Sequence, residues 1–134
     1  IYYGDEIGMT GAQDPDNRRM FPDPAKLTAA ENSVQHHVAK LNTLRAQHPA
    51  IRYGSRRALR ADRDTYAVTR AYLNDRVLIL YNRSDRSVQL ELEVAPEFKD
   101  GQLEDQLGNL RKITVKSGFL QVEVPPLSSS ILTR

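Results

Sequence analysis

The sequence has no cysteine among its 134 residues, which removes a disulfide framework and thiol chemistry and leaves the redox compartment open. No apolar run approaches the roughly 20 residues that a membrane span needs. Charge of one sign is also scarce: 19 Lys and Arg against 17 Asp and Glu give a net +2. The acids are interleaved with the arginines, and no basic groove with stacking aromatics emerges, so neither nucleic acid nor a membrane is an expected partner. Internal repeats and low-complexity segments are missing as well. What is present is an ordinary globular mixture, 40% hydrophobic and 27% charged. That is enough apolar material for a core and a length suited to one domain or one and a half.

The chain divides where its hydrophobic period changes. Ile1-Tyr2, running into Tyr3-Gly4-Asp5-Glu6, reads as the end of a buried strand. Gly8, Gly11 and Asp14-Pro15-Asp16-Asn17-Arg18-Arg19 then make a loop dense in charge and turn residues. A buried strand that empties into such a loop is how active-site rims are built on parallel α/β barrels. With no initiator Met and a start inside a strand, the expectation is the tail of a longer protein. Thr28-Ala29-Ala30-Glu31 is a capping box. Val34, Val38, Leu41 and Leu44 recur at helical spacing, which predicts a helix from about Thr28 to about Ala46, stopped by Pro49.

From Ile51 the period becomes two. Strands are predicted over Arg52–Ala61, arginine-rich and at an edge, and over Thr65–Leu73, with Asn74-Asp75 as a two-residue hairpin turn. Val77–Tyr81 is continuously apolar, as a central strand should be. Val88, Leu90, Leu92 and Val94 alternate with Gln89, Glu91 and Glu93. Further strands fall at Gln102–Leu107, around Ile113 and Val115, over Leu120–Val124, and at Ser130–Thr133. Seven or eight short strands with regular turn signals predict a mainly β fold, an antiparallel Greek-key β-sandwich. The boundary falls between residues 49 and 50.

Several blocks resemble the α-amylase family of glycoside hydrolases. They are Tyr2-Tyr3-Gly4-Asp5-Glu6-Ile7-Gly8-Met9, then Asp14-Pro15-Asp16-Asn17-Arg18-Arg19, then Leu41–Gly54 (LNTLRAQHPAIRYG) and Val77–Ser84 (VLILYNRS). The nearest branch is the neopullulanase, cyclomaltodextrinase and maltogenic amylase group. The resemblance implies that residues 1–49 are the last strand, substrate loop and last helix of a (β/α)8 barrel. Residues 50–134 would be the β-sandwich C-terminal domain. It implies a parent that is a retaining α-glycosidase acting on maltodextrin, cyclodextrin, pullulan or starch, with an α-glucan oligosaccharide as partner. The family's catalytic carboxylates lie on earlier strands, so no catalytic residue is expected in this chain. Asp14 and Arg18 match the loop Asp and Arg that hydrogen-bond glucose units on the non-reducing side of the cleavage point. One departure is visible: the branch often has a Trp soon after the Phe-Pro pair, whereas Phe21-Pro22 is followed here by Asp23-Pro24.

The residues can also be read by their own chemistry. Retaining hydrolysis needs two carboxyl groups about 5 Å apart, and Asp5 and Glu6, adjacent on a strand, would diverge to opposite faces. Asp14 accepts and Arg18 donates, a pairing that suits sugar hydroxyls; the alternative is an ion pair that braces the loop. His36 and His37 cannot both face one metal, His48 suits a helix end, and neither a metal nor another cofactor is expected. Tyr2, Tyr3, Tyr66, Tyr72 and Tyr81 either stack on sugar or pack in the sheets. Arg56, Arg57, Arg60 and Arg63 read as a solvated edge. A second function stays open, a non-catalytic carbohydrate- or protein-binding sandwich module, which requires an exposed aromatic row or a contiguous apolar patch on one sheet face; the strands do not clearly show one. Without neighbouring barrel strands, residues 1–24 are expected to be mobile, re-docked, or paired with a second copy, so self-association is a further expectation.

Overall fold

The computed structural model describes residues 3–134. It contains two compact units, one running through Leu44 and the other Arg45–Arg134. The strand end expected at Ile1-Tyr2 lies outside the described residues.

In the first unit, short 3-10 turns at Asp5–Ile7, Asp16–Arg18 and Pro24–Lys26 precede helix α1, Ala29–Gln47. Asp5 and Glu6 therefore sit on a tight turn rather than a strand, and alternation does not govern their directions. The reason lies in the flanking glycines: Gly4 and Gly8 adopt φ of 95° and 66°, a left-handed backbone that side chains resist. The Glu6 carboxylate folds back to accept from the Gly4 N–H at 2.8 Å. The capping box at the start of α1 forms as expected. The Thr28 N–H donates to the Glu31 carboxylate at 2.7 Å, and the Thr28 hydroxyl accepts from the Glu31 N–H at 3.3 Å. Those bonds, the backbone one foremost, hold the Glu31 carboxyl below its usual range.

The second unit opens with a feature the periodicity did not signal. Pro49 ends α1 but also begins a second helix, α2, Pro49–Tyr53, because a proline at the first helical position removes only an N–H that has no helical partner. The first strand is accordingly shorter than Arg52–Ala61. The strands are β1 Ser55–Ala61, β2 Thr65–Tyr72, β3 Asp75–Asn82, β4 Val88–Glu93, β5 Gly101–Asp105, β6 Ile113–Lys116, β7 Phe119–Val124 and β8 Ser128–Thr133. Between β2 and β3 the turn residues are Leu73 and Asn74, since Tyr72 pairs with Asp75. Leu73 takes the positive φ, 48°, a role that chain chemistry assigns to Asn or Gly.

All pairings are antiparallel, in the order β1-β2-β3-β8-β5-β6-β7-β4. The run β8-β5-β6-β7 places the fourth consecutive strand beside the first, which is a Greek key. Strand β5 serves both layers: Gly101–Leu103 pairs with β6, and Glu104 and Asp105 pair with β8. One core fills the space between the layers. Ala67, Leu78, Leu80 and Leu132 face Leu90, Leu92, Leu103, Ile113, Val115, Leu120, Val122 and Val124, and Phe98 closes one end.

The edges β1 and β4 are strapped together by Arg57. Its guanidinium donates to both Glu97 oxygens, with Nε to Oε1 at 2.9 Å, and to the Ala95 carbonyl at 2.7 Å. The pair raises the Arg57 pKa and lowers that of Glu97. Arg57 is thus a cross-layer tie rather than a solvated edge charge.

Candidate functional site

The loop after the Gly8 turn is built around one carboxylate. Asp16 Oδ2 accepts from the Ala12 N–H at 2.7 Å and from Arg19 Nη2 at 2.8 Å, and Oδ1 accepts from Arg19 Nε at 2.6 Å. The Arg19 guanidinium first, and then the Ala12 N–H, hold the Asp16 carboxyl below its ordinary value. Arg19 in turn anchors the start of the segment, because its carbonyl accepts from the Tyr3 hydroxyl at 2.7 Å. Turns from Gln13 to Asp16 and from Pro15 to Arg18 complete the frame. Asp16 and Arg19 are therefore the brace of this loop.

Asp14 and Arg18 are placed differently. They form an ion pair at 2.9 Å, with side chains 60% and 76% exposed respectively. An exposed pair of this kind gains only about 0–1 kcal/mol. It can exchange one charged partner for hydroxyl groups at small cost. A hollow elsewhere in this segment is lined by Tyr3, Met9, Thr10, Gly11 and Asn17, and by neither Asp14 nor Arg18. The geometry thus contains both readings of the pair, the loop ion pair and the accessible donor and acceptor. The backbone is held by Asp16 and Arg19.

The remaining candidates are spread through the chain. His36 Nδ1 lies 2.6 Å from the Asn32 carbonyl, and His48 Nδ1 lies 3.0 Å from Asp75 Oδ1. Among the described residues, no group of three or more His, Asp or Glu is placed to hold a metal ion. Tyr66 takes the Arg56 guanidinium on its hydroxyl, and Arg60 pairs with Asp62 at 2.7 Å. Tyr72 is partly exposed and meets Tyr53, with ring centroids 5.8 Å apart. Tyr53 was not among the strand tyrosines that the sequence singled out. It sits on α2, an element that the period-two pattern hides.

Residues 56–131, from β1 into β8, match the family model described as the maltogenic amylase C-terminal domain. The chain belongs to that family, within the α-amylase-type glycoside hydrolases. It is 27% identical over 144 aligned positions to an amylopullulanase of Thermoanaerobacterium saccharolyticum, an alignment covering 98% of this chain and 11% of that protein. It is 39% identical over 99 positions to a cyclomaltodextrinase of Geobacillus thermopakistaniensis, covering 70% of this chain and 16% of the relative. Among solved structures, the debranching enzyme of Nostoc punctiforme superposes with a TM-score of 0.80 at 27% identity, over 100% of this chain and 27% of that one. That enzyme has also been solved after soaking with acarbose. The chain therefore spans about a tenth to a sixth of the length of these curated relatives.

Proposed function

We propose that this chain is the C-terminal portion of an α-glucan-active glycoside hydrolase. Residues 1–49 are the last strand, substrate loop and last helix of its barrel, and residues 50–134 are its stabilising C-terminal domain. Similarity that runs through both compact units supports this, since the amylopullulanase alignment covers 98% of the chain. Within the whole enzyme, Asp14 and Arg18 bind glucose units beside the cleavage point. Their exposure on a loop braced by neighbouring residues carries that assignment. The carboxyl pair that cleaves the bond comes from elsewhere in the enzyme, so the chain alone is not catalytic. Self-association through the segment ahead of α1 belongs to the same reading.

The assignment of Asp14 and Arg18 is tested in an enzyme that carries this segment after a complete barrel. Asp14→Ala and Arg18→Ala should each lower kcat/KM on maltodextrin by about 10- to 100-fold, the size of a lost hydrogen bond to a charged group, with little change in Tm. Asp16→Ala should lower Tm first, because it removes the brace. Unchanged kinetics for Asp14→Ala and Arg18→Ala would remove their role.

A further inference from the structure

We propose that Tyr53 and Tyr72, with Arg52, form a second α-glucan-binding platform on the sandwich unit, separate from the Asp14–Arg18 loop. Tyr53 ends α2 and Tyr72 ends β2. Their rings are 5.8 Å apart and inclined at 50°, and they stay 60% and 39% exposed. The Arg52 guanidinium lies 4.8 Å from the centre of the Tyr53 ring.

This pair is held rigidly from both sides. The Asp75 carboxylate at the start of β3 accepts from the Ala50 N–H at 2.8 Å and lies 3.0 Å from His48 Nδ1, which fixes the N-terminus of α2. At its other end, the Gly54 N–H donates to the Ala50 carbonyl at 3.0 Å. A Cβ on Gly54 would lie 2.4 Å from that carbonyl oxygen and 3.0 Å from the Ala71 backbone, so only glycine lets α2 press this closely on β2. The helix thus delivers Tyr53 to the strand that ends in Tyr72. Two aromatic rings thus stay partly exposed on a scaffold tied at both ends of α2.

The chemistry selects the occupant. Ring faces stack on the C–H face of a pyranose, while a guanidinium and phenolic hydroxyls reach its hydroxyl rim. Two inclined rings suit successive units of a curved α-1,4-linked chain. A polyanion is disfavoured, because the net charge is only +2 and the Asp75 carboxylate stands beside the platform. An apolar protein partner would call for a broader apolar patch than two tyrosines and the adjoining Leu73, flanked in the chain by Arg52, Asp75 and Arg76. The choice of an α-glucan, rather than another sugar, rests on the function proposed above.

The test is an NMR titration of this chain with maltoheptaose, with cellohexaose as the β-linked control. Ring resonances of Tyr53 and Tyr72 and the amides around Arg52 are expected to move and saturate, with a roughly millimolar Kd. Cellohexaose should move them at least tenfold less. Tyr72→Ala should weaken binding by at least tenfold. Tyr53→Leu and Tyr72→Leu, which keep apolar bulk at the sites, should weaken it as well, so that a loss is not mistaken for unfolding. The proposal is overturned if maltoheptaose moves nothing, if the shifts persist in the leucine variants, or if both sugars act alike. Failure of the Asp14 and Arg18 assignment would leave these shifts intact, so the two outcomes are read separately.

Discussion

Asp105→Asn is expected to destabilise the sandwich by about 3 kcal/mol, and Asp105→Ala by about 4 kcal/mol or more. For a unit of this size that is a fall in Tm of roughly 12 °C or more. Asp105 ends β5 and is buried. Its Oδ1 accepts from the Leu107 N–H at 3.0 Å and the Ile131 N–H at 3.1 Å. Its Oδ2 accepts from Asn109 at 2.8 Å and Leu110 at 3.0 Å. One carboxylate thus satisfies four backbone donors, three in the turn after β5 and one on β8, at the point where β5 passes from one layer to the other. Asparagine keeps the shape but turns one acceptor into a donor that faces two N–H groups. Alanine leaves all four donors without this acceptor, the more costly case because an unpaired buried polar group loses its whole hydration. Glu104→Gln is the control. Glu104 is adjacent but exposed, and its change should stay within about 0.5 kcal/mol. Denaturant unfolding of the three variants measures this, and a shift for Asp105→Asn no larger than for Glu104→Gln would remove the role given to the carboxylate.

Asn82→Ala should cost about 3 kcal/mol, and Asn82→Asp should cost more. Asn82 ends β3 and is 1% exposed. Its amide nitrogen donates to the carbonyls of Arg86 at 2.8 Å, Val124 at 3.1 Å and Pro125 at 2.9 Å. With two hydrogens for three carbonyls, one hydrogen is shared. Its oxygen accepts from the Ser84 N–H at 2.9 Å and the Ser84 hydroxyl at 2.7 Å. The side chain therefore pins the β3–β4 loop to the end of β7. Alanine deletes the pin. Aspartate places a carboxylate oxygen against three carbonyl oxygens, which adds charge repulsion in a buried site. Urea midpoints in the order wild type, Ala, Asp would match this; an aspartate variant as stable as the alanine one would contradict it.

Neither of these residues announces itself along the chain. Asp105 reaches Ile131, 26 positions away, and Asn82 reaches Val124, 42 positions away; a local pattern has no means to show such bonds. The Tyr53–Tyr72 pair escapes for the same reason, because it depends on how α2 lies on β2. The sandwich itself was plain from the sequence. Strict alternation in β4 and β7 places Leu90, Leu92, Leu120, Val122 and Val124 on one buried face, and a slip of one residue would turn them all outward. The capping box before α1 was equally readable, since its bonds span three residues. Two local features misled. Pro49 reads as a stop, yet it also starts α2, and Leu73 takes a left-handed turn position that its type disfavours. In the loop, Asp14 and Arg18 were legible as a carboxylate and a guanidinium suited to sugar hydroxyls and by the resemblance to the family's loop Asp and Arg. The bonds by which Asp16 and Arg19 frame the loop, and the exposure they leave to Asp14 and Arg18, emerge only in the folded chain.

In the function proposed, the chain binds and stabilises but does not cut by itself. The most direct measurement is a reducing-sugar assay of this chain on soluble starch, followed over hours at high protein concentration. No release above the protein-free blank is expected. Clear turnover that survives repurification would mean that the chain holds its own pair of catalytic carboxyls, and would contradict the claim.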